Sequence, residues 1–175
     1  MTQPEIPRAL LRELERTARR PEEALRWAAT LQAARDAGDL DAAYDAARKV
    51  KQAAPRSTSI REVLGLIAFD RGDWHEAAAE LLALRRLTGK RRYDPVIAEC
   101  YRREGRASRA LEFLADLPRS SVGRATWVRA QTVKARALAD SGRPRVGVSV
   151  LESLRIAEPK GPAEEEALAV LDELR

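Results

Sequence analysis

The chain has 175 residues and a formal net charge of +5, with 45% hydrophobic and 34% charged residues but only 5% aromatics. A chain of this length buries a real core, and an apolar content drawn chiefly from Ala, Leu and Val favours helices over a β-rich fold. No run of 18 apolar residues occurs, charges run throughout Met1 to Arg20, and Cys100 is the single cysteine, so a membrane span, a secretory leader and an internal disulfide are not expected, and a cytoplasmic setting is.

In chain order, Ile6, Leu10, Leu14 and Ala18 recur every four residues behind Pro7. They predict an amphipathic N-terminal helix within residues 1–21, ending at the break at Pro21. The stretch 24–159 then carries one punctuation four times: Gly38 with Asp39, Gly72 with Asp73, Gly105 with Arg106 and Gly142 with Arg143, the glycines 34, 33 and 37 residues apart. Five residues after each glycine stands a small residue, namely Ala43, Ala77, Ala110 and Gly147. Four further on come Ala47, Leu81, Leu114 and Leu151, and three beyond those Val50, Leu84, Leu117 and Leu154. Steps of four and three set each group on one helical face, with the smallest side chain where a neighbouring helix comes closest. Each glycine is therefore predicted to be the turn between two antiparallel helices, and a period of this length means a repeat architecture.

Upstream of the glycines the matching half of the pattern appears at eight, seven and four residues: Leu64, Gly65 and Ala68 in the second repeat, Ile97, Ala98 and Tyr101 in the third. Extra residues between the third and fourth repeats fall at Arg119, Ser120, Ser121 and Gly123, predicting a longer loop. In the last segment, 162–175, Pro162 opens a helix with Glu164, Glu165 and Glu166 in its first turn and Leu168, Leu171 and Leu174 along one side, acids being favourable at the positive helix end. Both terminal helices are predicted to cap the apolar edges of a stack.

These residues resemble the tetratricopeptide repeat, over roughly Ala24 to Pro159. Trp27 matches the repeat's early Trp, Pro55 and Pro159 match its closing Pro, and Thr30 and Lys134 depart from it where a large apolar residue is usual. The resemblance implies an all-α fold, a right-handed α-solenoid of about four helix pairs with capping helices, in a single domain spanning 1–175. The scarcity of Lys against Arg and the lack of Asn further suggest a high-GC bacterial coding sequence.

The resemblance also implies that the first helix of each pair lines a concave groove. Carried over residue by residue, that face holds Leu25, Ala28, Gln32 and Arg35, then Glu62, Val63, Leu66 and Phe69. Arg92, Val96, Glu99, Arg102 and Arg103 follow, and then Arg129, Val133, Arg136 and Asp140. Family members that clamp a C-terminal carboxylate use Lys and Asn, and this chain offers Ala28 and Gln32 at the matching positions of its first repeat, so that subclass is not expected. From Arg85 to Arg145 the chain has 16 basic and 6 acidic residues. The expected partner is accordingly a protein segment bearing acids and apolar anchors, held by Val63, Leu66, Phe69, Arg92, Arg102, Arg103, Arg129 and Arg136. Two alternatives stay open. One is nucleic-acid binding through the basic block, for which Tyr93 and Tyr101 offer little base stacking, and the other is self-assembly through the apolar patch.

No catalytic constellation emerges. His75 is the one histidine, Cys100 has neither a second cysteine nor a histidine near it in sequence, and the glycines are isolated turns, not phosphate loops. No enzyme activity, cofactor or metal is expected.

Overall fold

The computed structural model describes residues 6–175, and all regular structure among them is helical. Helices α1 (Arg8–Thr17), α2 (Pro21–Asp36), α3 (Leu40–Ala53), α4 (Thr58–Arg71) and α5 (Trp74–Thr88) make up one compact unit that ends at Gly89. A second unit, Lys90 to Arg175, holds α6 (Asp94–Arg103), α7 (Ala107–Ala115), α8 (Arg124–Asp140), α9 (Pro144–Glu152) and α10 (Pro162–Leu174). The first five residues of the segment read as an N-terminal helix lie outside the described residues; the helix itself starts at Arg8, directly behind Pro7. The predicted loop at Arg119 to Gly123 contains a short 3-10 turn over Arg119–Ser121.

The four punctuation glycines form four copies of one hydrogen-bonded turn. Gly38, Gly72, Gly105 and Gly142 all have left-handed backbones, with φ of 71°, 83°, 75° and 74°. In each, the glycine N–H donates to the carbonyl three residues back, and the next N–H donates to the carbonyl five back. The longer bonds run from Asp39 to Ala34 (2.9 Å), Asp73 to Ala68 (2.8 Å), Arg106 to Tyr101 (2.9 Å) and Arg143 to Leu138 (2.8 Å). This is the Schellman closure of a helix, which satisfies the last carbonyls and favours a residue without Cβ at the left-handed position. The helices so joined pack as the pairs α2 with α3, α4 with α5, α6 with α7 and α8 with α9. A fifth left-handed glycine, Gly89, ends α5 at the boundary between the units.

In the first unit, Ala43, Ala47 and Val50 of α3 and Ala77 and Leu81 of α5 have no exposed surface. A Cβ on Gly65 of α4 would stand 2.8 Å from Leu81 Cγ, so the glycine seven residues before the turn is what lets α4 and α5 close. Buried Glu80 of α5 accepts from Arg61 of α4 at 2.9 Å and also from Lys51 of α3, so one carboxylate links three helices. Helix α1 seats Leu10 and Leu14 in the core shared with α2, α3 and α4.

The second unit repeats the device. A Cβ on Gly147 of α9 would lie 2.7 Å from the backbone oxygen of Ala135 in α8, which is seven residues before Gly142. Ala110, Leu114 and Leu117 are buried as predicted, as is Leu151. Helix α10 packs on α8 and α9, contributing Ala163, Ala167, Val170 and Leu171 to a core with Val128, Ala135 and Leu151. Of its predicted leucines, Leu171 is buried while Leu168 and Leu174 pack at the margin. Glu164 turns back over the first turn of α10 and accepts from the Lys160 N–H at 2.8 Å and from Arg124 of α8, an N3 acid serving its own helix start.

Candidate binding faces

Two neighbouring concavities in the first unit collect much of the face carried over from the repeat pattern. The larger, about 370 Å³, is lined by Arg35, Gly38, Asp39 and Leu40 at the α2–α3 turn and by Glu62, Val63, Leu66, Ile67 and Asp70 of α4. The smaller, about 180 Å³, shares Arg35, Glu62 and Val63 and adds Ala28, Leu31 and Gln32 of α2, Ser59, and Pro7, Ala9 and Leu10 at the start of α1. Ala28, Gln32 and Arg35 stand four and three residues apart on α2, and on α4 Leu66 follows Glu62 by four residues and Val63 by three, which is why each set faces one side. Leu25 packs partly buried against the core. Phe69 lies outside these concavities, its ring edge-on to Trp74 with centroids 5.2 Å apart. The half-buried Phe69 and Trp74 rings pair across the α4–α5 turn, apart from Val63 and Leu66 in the two concavities.

Ser59, in the lining of the smaller concavity, takes part in a contact that joins α1 to α4. The Glu13 carboxylate of α1 accepts from the backbone N–H groups of Thr58 (2.6 Å) and Ser59 (3.3 Å), from the Thr58 hydroxyl at 3.2 Å, and from the Ser59 hydroxyl. Ser57 caps the next amide, Ile60, at 3.2 Å. Burial works to raise the Glu13 pKa, but hydrogen bonds from Ser59 and Thr58 outweigh it and hold the carboxyl below its ordinary value. Nothing in the local sequence announces this pairing, because the partners are 45 and 46 residues apart.

In the second unit the arginines of the expected groove are largely engaged with the chain's own acids. Arg102 donates to both oxygens of Glu99 at 2.7 Å and to Asp140 of α8 at 2.8 Å, while Arg103 reaches Glu99 at 2.8 Å. Burial would raise the pKa of Glu99, but the two guanidinium groups hold it below the usual carboxylate range. The hydrogen bonds to Glu99, then Asp140, shift Arg102 in the opposite sense, further up. Arg136 pairs with Glu166 of α10 at 2.7 Å, and the Arg92 guanidinium lies 4.7 Å from the Tyr93 ring centre. Val133 is buried. Arg129 is exposed and lines a concavity of about 300 Å³ with Arg124, Lys160 and the start of α10.

His75 is exposed in the first turn of α5. Cys100 is fully buried, and burial first, with Glu104 and Glu99 adding to it, pushes its thiol up to about 12. Such a thiol stays protonated and is a poor nucleophile. Trp27 stacks under Lys49, with Nζ 3.9 Å from the ring centre, and Arg119 stands over Trp127. Among the described residues no three His, Cys, Asp or Glu side chains gather in a way that could hold a metal ion, and no helix is long and apolar enough to cross a membrane. The sequence matches no known family model and no curated protein.

Proposed function

We propose that this chain is a non-catalytic, tetratricopeptide-like binding module of bacterial type, an adaptor that receives a segment of a partner protein on the α2 and α4 face of its first unit. The observation that carries the reading is the pair of adjoining concavities in which Ala28, Gln32, Arg35, Val63 and Leu66 meet. Ala28 is buried and Val63 packs at the edge of the core, while Gln32, Arg35 and Leu66 keep exposed surface on the same side, so Val63 and Leu66, both half-buried, give apolar anchors somewhere to sit. Support for the tetratricopeptide likeness comes from four helix pairs closed by the same glycine turn, with small residues at matching offsets.

The acidic character first expected of the partner rested on arginines, and Arg102, Arg103 and Arg136 already hold carboxylates of the chain. A second reading rests on Arg129: with Lys160 it lines a concavity in which Arg124 already pairs with Glu164, leaving an excess of positive charge for an acidic side chain of a partner. Affinity capture from native lysate, run in parallel with Leu66→Asp and Arg129→Glu, separates the two. The main reading expects the partner to be lost with Leu66→Asp and retained with Arg129→Glu, and the reverse result supports the second. A recovered RNA or DNA whose binding collapses by about 10³–10⁵ between ~50 and ~200 mM salt would overturn both.

A further inference from the structure

The larger concavity of the first unit is apolar at its base and acidic at its rim. Val63, Leu66 and Ile67 line it from α4, and Leu40, 43% exposed, extends the apolar surface at the α2–α3 turn. The exposed charged groups around it are two carboxylates, Asp39 and Asp70, against one cation, Arg35; Glu62, half-buried, also lines it and is engaged within the chain. Asp39 accepts from the Ala42 N–H as the N-cap of α3, a bond that leaves its negative charge in place at the mouth. Asp36, one residue beyond Arg35, accepts from Gln32 at 2.7 Å and adds a further acid beside the smaller concavity. Basic residues outnumber acids in the chain as a whole, so this local excess of carboxylate runs against the overall charge.

We infer that the segment taken up on this face is basic and apolar, a stretch with leucine-sized anchors flanked by Arg or Lys. The inference rests on the proposed binding role of the same face and sets the chemistry of its occupant. An apolar side chain in a concavity of about 370 Å³ displaces water from Val63 and Leu66, which provides affinity with little sign preference. The rim then selects. Carboxylates at Asp39 and Asp70 attract guanidinium or ammonium groups and repel an acidic segment, and like-charge juxtaposition is an effective way to reject a wrong partner.

Two fluorescein-labelled synthetic peptides test this by anisotropy with the full chain. Both carry leucines one helical turn apart in a neutral polar background, one flanked by arginines and the other by glutamates. The arginine peptide is expected to bind more tightly, and Leu66→Ser to weaken it. The double substitution Asp39→Asn/Asp70→Asn, which keeps an oxygen to cap α3, is expected to cut its affinity by about 2- to 30-fold, the range for two exposed ion pairs. If the glutamate peptide binds as well or better, or the double variant leaves the preference unchanged, the basic partner is wrong while the binding face stands. If neither peptide binds, or Leu66→Ser has no effect, the binding face itself fails and the inference with it.

Discussion

Replacing Glu13 by Ala tests whether a single carboxylate holds α1 on the start of α4. The substitution removes the acceptor for two first-turn amides, Thr58 and Ser59, and for both their hydroxyls. Ser57 still caps Ile60, so the helix start is weakened and not abolished. Loss of a capping acceptor lowers stability by about 0.5–2 kcal/mol, and loss of a negative charge at a helix N-terminus by a further ~0.3–1 kcal/mol. The expected total is about 1–3 kcal/mol, read from urea unfolding followed by tryptophan fluorescence in a Trp127→Phe background, which leaves Trp27 and Trp74, both in the first unit, as the reporters. Glu13→Gln separates charge from hydrogen bonding. The carboxyl is held below its ordinary value in the fold, so the contribution of its charge is complete above the unfolded value near ~4.3 and disappears as pH falls through the lower folded value. Wild type should therefore exceed Glu13→Gln near neutral pH, and the gap should close in acid. A loss below a few tenths of a kcal/mol for Glu13→Ala, or a gap to Glu13→Gln that does not change with pH, would refute the reasoning.

Two further outcomes test the packing. A Cβ at Gly147 meets the Ala135 carbonyl oxygen at 2.7 Å, so Gly147→Val should lower unfolding free energy by at least ~1 kcal/mol despite valine's better helix propensity. Val146→Ala, at a position 49% exposed on the same helix, should change it by no more than about 0.5 kcal/mol. Equal stability of the two variants in thermal or urea melts would place the α8–α9 contact elsewhere. Cys100, fully buried with its thiol pushed up to about 12, should resist a thiol-specific chromogenic reagent in the native protein and react at once in denaturant; rapid native reaction would contradict its burial.

What could be read from the sequence was local. A glycine turn, a small residue five positions later and apolar partners four and three beyond are set by the geometry of one helix pair, and Gly38, Gly72, Gly105 and Gly142 each stand between two helices, with left-handed backbones. Val63 and Leu66 could be placed on the same side for the same reason. The division at Gly89 was not legible, because nothing in the repeat period marks it. Nor was the fate of the arginines: Arg102 could be placed on a face, but its reach to Asp140, 38 residues away, depends on how α6 and α8 pack. The pairing of Phe69 with Trp74 was not legible either, because the two rings meet only across the α4–α5 turn. The acidic rim escaped notice because Asp39 and Asp70 flank the glycine turns, outside the helical face that the repeat pattern picks out, and they meet only when α2, α3 and α4 are assembled.

Site-specific photo-crosslinking in the native lysate tests the central claim most directly. A photoreactive amino acid is placed at Leu66, inside the larger concavity, and in a parallel variant at Arg109, exposed on α7. The account expects one discrete protein adduct from position 66, suppressed by excess unlabelled wild-type chain, and none of that identity from position 109. The same adduct from both positions, or from position 109 alone, would contradict the assignment of the binding face to α2 and α4.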